Sequence, residues 1–153
     1  MFLKRSDIEE LLPHAGSMVL LDSVVDWDEK IILCTAISHL DTNNPMRTGR
    51  LSMLAGIEFA AQAMALHGAL AAGQGSGQRV LGNVRNVKCA AGYLDECKNE
   101  LMITAELRGE GEDAEFVWSH GYKSAAFSSD KPPKVEVPDC TLVMAHAAES
   151  VKL

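Results

Sequence analysis

Glu58 is a carboxylate in the middle of the most apolar stretch of the chain, MLAGIEFAAQAMALHGAL. On a helix, Leu54, Ala61, Gln62 and Ala65 fall on its face at i−4, i+3, i+4 and i+7 spacing. Glutamate is rarely buried without a partner. A desolvated carboxyl keeps its proton to higher pH, which suits it to protonate a leaving group near neutrality. Gln62, one turn later, is spaced either to orient Glu58 or to bind a substrate amide. The plainer alternative is that Glu58, Gln62 and His67 mark a narrow solvent-facing stripe. The second candidate is His14, which follows Pro13 in a loop containing Gly16 and leads to the apolar residues 19–21 and then Asp22. Its ordinary titration range makes it a plausible general base. The plainer reading is an exposed loop histidine without a role.

Other reactive side chains carry weaker signals. His67 lies nine positions after Glu58, near the opposite helix face, where it reads as a core or interface histidine. His120 and His146 receive no assignment. Met53 and Met64 read as packing residues whose soft side chains would also suit an apolar tunnel. Trp27 and Trp118 read as sheet packing. Ser17, Ser38 and Ser52 lack the G-x-S-x-G setting of a hydrolase nucleophile. No phosphate-binding loop or dinucleotide fingerprint is present. Cys34, Cys89, Cys97 and Cys140 are widely spaced, with no CxxC pair and no zinc-ligand histidine spacing. Free thiols and no metal site are expected.

The 153 residues suit one domain spanning 1–153, with a core over about 8–120 and an unassigned segment at 121–153. Glu58, Gln62, His67 and Gly68 interrupt the apolar stretch at 51–72, so no membrane span is expected. The start, MFLKRSDIEE, turns acidic before any apolar leader develops, and a cytoplasmic location is expected. A net charge of −7 argues against a nucleic-acid partner. The charge is uneven, however. Residues 43–94 hold Arg47, Arg50, Arg79, Arg85 and Lys88 against one acid, Glu58. Arg47, Arg50, Arg85 and Lys88 are therefore candidates for docking an anionic partner, unless they are simply scattered solvated cations.

These residues need elements to position them. Ser6-Asp7-Ile8-Glu9 reads as a capping box opening a short helix that Pro13 ends. VLLDSVVDW and IILCTAI read as two strands joined at Asp28-Glu29-Lys30. Residues 41–45 are a loop by composition, and 51–72 is the strongest helix, ended by GQGSG. Strands are expected at 79–89, 100–107 and 115–120. SSDKPPKVEVPD is proline-rich and irregular, and CTLVMA reads as a last short strand. One buried helix among antiparallel strands makes an α+β fold with a sheet wrapped around a helix.

Two blocks give the sequence a family resemblance. LLPHAGSMVLLDSV resembles the opening motif of the hot-dog-fold 3-hydroxyacyl-[acyl carrier protein] dehydratases, and GIEFAAQAM resembles their central-helix motif. Their separation also matches, and the resemblance spans roughly 8–120. It is nearest to the predicted dehydratases of aryl polyene-type pathways. The resemblance implies a hot-dog fold and a dimer with its active site at the interface. It implies a 3-hydroxyacyl substrate on a phosphopantetheine arm, brought by acyl carrier protein or coenzyme A, with no resident cofactor. The product would be a trans-2-enoyl thioester for fatty-acid or polyene-type synthesis. Glu58 would take the acid role and Gln62 the amide role. A backbone N–H from around Ser52 to Ala55, a stretch that includes Met53, would polarise the thioester carbonyl.

The chain departs from the family in one place. The best-known members carry their catalytic histidine fourteen residues before the acid, in a Gly-His-Phe-Pro loop. That count lands on Asn44, which cannot be a general base but can hydrogen-bond a carbonyl. Three assignments stand open: His14 as the base, His39 as the base, or no base. Dehydration is the leading function. The alternatives are a hot-dog acyl thioesterase and a catalytically silent subunit. A homodimer, a higher oligomer or a heterodimer with an active paralogue would fit.

Overall fold

The computed structural model describes residues 3–72, 79–81, 92–109, 115–122, 141–145 and 147–149. A short strand β1 (Leu3–Lys4) runs into helix α1 (Arg5–Leu11). A 3-10 turn at Gly16–Met18 leads to the hairpin of β2 (Ser23–Trp27) and β3 (Ile31–Ala36). Further 3-10 turns at Ser38–Leu40 and Met53–Ala55 precede the long helix α2 (Gly56–Ala72). Strand β4 (Arg79–Leu81) and a 3-10 turn at Leu94–Glu96 follow, then β5 (Leu101–Gly109), β6 (Glu115–Tyr122), β7 (Thr141–Ala145) and β8 (Ala147–Glu149).

Six strands form one antiparallel sheet in the order β1-β2-β3-β5-β6-β7, and β4 pairs with β8 in a second, two-stranded sheet. Period-two alternation shows why one face of the sheet accepts a helix. Ile32, Cys34 and Ala36 of β3 lie opposite Ala105, Ile103 and Leu101 of β5, and all six are buried. Phe59, Ala60, Ala63 and Leu66 of α2 belong to the same buried cluster. The result is the α+β hot-dog arrangement, a sheet wrapped around one central helix. Residues Met53–Ala71, with mean hydropathy 1.2, have the length and apolarity of a bilayer span. In this fold that apolarity packs the helix into the sheet.

Several local expectations shift. Helix α1 is capped two residues earlier than Ser6: the backbone N–H of Lys4 donates to Asp7 at 3.0 Å, so Ser6 lies inside the helix. Residues 19–21 are buried but outside any strand. The hairpin turn forms as read, because the Asp28 carboxylate accepts from the N–H groups of both Lys30 and Ile31. His67 is a core histidine whose Nε2 lies 2.9 Å from the Asp28 carbonyl, with its ring edge-on to Trp27. Cys34 is a buried, inert thiol, pushed up to about 12 by desolvation. Of the 79–89 strand, 79–81 is seen, and the rest lies outside the described residues together with Cys89 and Cys140.

Candidate functional site

The loop bearing His14 is held in place by three side chains from three different elements. Gly16 adopts φ +59, a left-handed conformation that costs glycine little and turns the chain after His14. Arg5, on α1, donates through Nη2 to the carbonyls of Val19 at 2.7 Å and Gly16 at 3.3 Å. Ser38 Oγ donates to the carbonyl of Leu20 at 2.7 Å. From α2, Gln62 accepts from the N–H of Leu20 at 2.9 Å and donates to the carbonyl of Met18 at 2.6 Å. Asp22 closes the assembly, accepting from the N–H of Ile37 and from Arg5. Sequence reading missed Arg5 and Ser38, because neither sits in a pattern that announces a backbone clamp.

The clamp brings His14 against helix α2. His14 Nε2 lies 3.1 Å from Glu58 Oε1. Gln62 Nε2 lies 3.4 Å from the same oxygen, so one amide both holds the loop and touches the acid. The two side chains are 28% and 29% exposed, so the expected deep burial of Glu58 is absent within a single chain. The reason lies on the helix surface. Ile57, Glu58, Ala61, Ala65 and Gly68 form a partly exposed strip along the helix, whose last turn at 69–71 is also partly open. His14 Nδ1 is buried and has no hydrogen-bond partner among the described residues. The ring therefore addresses its surroundings through Nε2.

The remaining candidates are tied up differently. His39 is fully buried, and its Nε2 lies 2.8 Å from the Cys97 carbonyl, which can only accept. Desolvation holds its pKa below the ordinary histidine value, against the backbone hydrogen bonds at Cys97 and Asn99. His39 is thus a core residue under the 38–46 loop. Asn44 is also buried, donating to the Ser38 carbonyl at 2.9 Å and accepting from the N–H of Met46. Its amide shapes that loop and retains one further N–H. A cavity of about 570 Å³ lies beside it, with Arg5, Ser17, Asp22, Ile37 and Ser38 also on its wall.

The start of the central helix corrects one expectation. Ser52 Oγ accepts from the N–H of Leu54 at 3.2 Å, and the Ala55 N–H donates to the Ser52 carbonyl. The N–H of Met53 donates to the Gly92 carbonyl at 3.0 Å. A capped 3-10 turn thereby satisfies the donors of 53–55 that an uncapped helix would offer to a thioester carbonyl. Met53 itself is buried in the core.

The basic centre changes character too. Arg47 Nη1 meets Asp95 Oδ2 at 2.8 Å, and Arg50 Nη2 meets Asp95 Oδ1 at 2.9 Å. Arg50 also stacks over the Tyr93 ring, 4.3 Å from its centroid. The hydrogen bond from Arg50, against some opposing desolvation, holds the Asp95 carboxyl well below its usual range. The acid that neutralises the patch stands one residue past the stretch that looked basic. Arg50 keeps half of its side chain exposed, Arg47 only 15%, so Arg47 acts here as a structural cation. Arg85, Lys88 and His146 lie outside the described residues.

No group of acids, histidines and cysteines among the described residues is arranged to hold a metal ion. A comparison with curated proteins found no match. A family model described as ApeP-like, ApeP dehydratase, matches residues 6–119, a span that includes the His14 loop, Glu58 and all of α2. The chain belongs to the ApeP-like family of dehydratases, of aryl polyene type.

Proposed function

We propose that this dehydratase acts on 3-hydroxyacyl thioesters carried on the phosphopantetheine arm of an acyl carrier protein, giving trans-2-enoyl thioesters. The observation that carries the reading is the 3.1 Å approach of His14 Nε2 to Glu58 Oε1. In the reactive state His14 is neutral and Glu58 holds a proton. His14 removes the proton from C2, the carbon acidified by the thioester carbonyl. The C2–H electron pair forms the C2–C3 double bond, and the C3–O bond breaks. Glu58 gives its proton to the departing hydroxyl, which leaves as water. The step needs no oxidant, metal or cofactor. It leaves His14 protonated and Glu58 ionised, and direct proton transfer between the two resets the site.

Gln62 supports the reading as a positioning group, because its amide holds the His14 loop and touches Glu58 at once. The cavity at Asn44 and Ser38 offers room beside this loop for part of an acyl or pantetheine chain. The test is mass spectrometry of 3-hydroxyacyl carrier protein incubated with the protein and with Glu58→Gln and His14→Ala variants. Loss of one water, abolished in both variants, is expected. Release of free carrier would indicate a thioesterase instead. No change at any chain length, where a known dehydratase completes the reaction, would leave a silent subunit.

A further inference from the structure

We infer that Asn44 polarises the thioester carbonyl of the bound substrate, through the one amide N–H that its own loop leaves unused. The inference rests on the thioester reading above and adds to it the donor that faces the carbonyl oxygen. Negative charge collects on that oxygen as C2 loses its proton, and a donor already fixed in place stabilises it best. The start of α2 has no such donor to give. The N–H of Met53 goes to the Gly92 carbonyl, that of Leu54 to Ser52 Oγ and that of Ala55 to the Ser52 carbonyl. The Gly56 N–H turns back to the carbonyls of Met53 and Leu54.

Asn44 is placed differently. An asparagine side chain carries two N–H donors and a carbonyl. Here Oδ1 accepts from the Met46 N–H at 2.9 Å, and Nδ2 donates to the Ser38 carbonyl at 2.9 Å. These contacts fix which end of the amide is which, and they leave one N–H without a partner among the described residues. The residue is only 5% exposed, yet it stands on the wall of the cavity of about 570 Å³. A buried donor is costly to leave unpaired, so this one calls for an acceptor inside the cavity. Val19, Ile37, Leu40 and Pro45 make the wall around it partly apolar, a setting in which a hydrogen bond is stronger than in water. The loop is also braced. Arg47 donates to the carbonyls of His39 and Asp41, and the backbone N–H of Asn44 donates to the Asp41 carbonyl. A residue that cannot accept a proton at neutral pH is thus held as a rigid, neutral donor.

The experiment uses S-butyryl-pantetheine, a thioester with no 3-hydroxyl to lose, and S-butyl-pantetheine, the thioether that lacks its carbonyl. Both are titrated into the wild-type protein and into Asn44→Asp, which keeps the shape of the side chain but donates nothing when ionised. The preference of the protein for the thioester over the thioether is expected to fall by about 3- to 10-fold in the variant. Damage to the loop alone weakens both ligands equally, and an unchanged preference overturns the inference. A second readout needs no variant. The side-chain amide protons of Asn44 are followed by NMR in the wild-type protein as each ligand is added. The thioester is expected to move the unpaired proton downfield, and the thioether is expected to leave it in place. A proton that moves with both ligands has its acceptor elsewhere on the pantetheine arm, and one that moves with neither has no acceptor on the ligand. Either result overturns the inference. Failure of the wild-type protein to bind either ligand refutes the thioester reading and the inference with it. Binding with the carbonyl-dependent shift, in a protein that dehydrates no 3-hydroxyacyl substrate, refutes the dehydratase reading and upholds the contact at Asn44.

Discussion

Two acid–base contacts join distant parts of this chain, and they are built in opposite ways. At Asp95 the carboxylate is nearly buried, receives two arginines and the N–H of Leu51, and is held well below its usual pKa. At Glu58 the carboxylate is partly exposed and receives one histidine and a long contact from Gln62. Arginine never gives up its proton under ordinary conditions, whereas histidine exchanges one near neutrality. The first contact can only hold the 39–53 segment to the 94–96 turn. The second joins a carboxyl to a side chain able to release its proton, as the proposed acid–base role requires. Charge pairing by itself therefore says little about role. What separates a brace from a reactive pair is the number of fixed donors and the chemistry of the cation.

The largest effect should come from cutting the proposed acid–base pair, His14 and Glu58. His14→Ala or Glu58→Gln is expected to lower turnover by about 10²- to 10⁴-fold. The unfolding free energy should change by less than about 1 kcal/mol, because a single partly exposed His–Glu contact contributes little to stability. Paired assays of water loss and urea unfolding on the same preparations check both statements. A stability loss matching the activity loss would make His14 and Glu58 a brace like Asp95.

Asp95→Asn should show the reverse pattern. Arg47 would remain largely buried without its carboxylate, and one of the two oxygens that serve Arg47, Arg50 and Leu51 N–H would become an NH2 donor. We expect a clear fall in the urea midpoint, with the rate per folded molecule nearly unchanged. The wild-type protein should also carry an acid-sensitive step that this variant lacks. A carboxyl with a depressed folded pKa stabilises above its unfolded value, and that stability is lost as pH falls below about 4.

How much of this difference could be read beforehand follows from the range of each interaction. Glu58 and Gln62 are one helical turn apart, so their common face was legible from spacing. The α+β fold was legible because one long apolar helix and several period-two strands leave few other arrangements. The approach of His14 to Glu58 depends on a loop clamped by Arg5, Ser38 and Gln62, and no local periodicity encodes it. Only the match of two motif blocks linked them. The pairing of Arg47 and Arg50 with Asp95 was not legible, because charge counted along the chain ignores an acid that returns through the fold. His39 as a base and Asn44 as a carbonyl ligand were expectations from counting along the chain, and counting does not show that both side chains bind backbone groups of the protein.

Gln62 stands between the two kinds of contact and sharpens the distinction. Gln62→Ala leaves the Leu20 N–H and the Met18 carbonyl unpaired in the interior, which should cost about 1–3 kcal/mol. It also frees the His14 loop, so kcat should fall while KM moves less, and the pH–rate profile should shift as Glu58 loses a donor. Denaturant unfolding and initial rates across pH would show both. A variant that is merely less stable, with an unchanged profile, would assign Gln62 to structure alone.

The smallest effect expected is a second pH step in stability, from His39. Burial holds this ring neutral in the folded chain, with its pKa below the ordinary 6.5. Between the two values the unfolded chain binds a proton that the folded chain refuses, so stability should decline as pH falls below about 6.5. The step begins at higher pH than the Asp95 window, and His39→Gln should remove it while leaving the lower one in place. Urea midpoints measured from pH 7.5 to 3 would resolve the two. If His39→Gln instead abolished dehydration in a stably folded protein, His39 would join the reactive pair, and the division between bracing and reacting residues would have to be redrawn around the 38–46 loop.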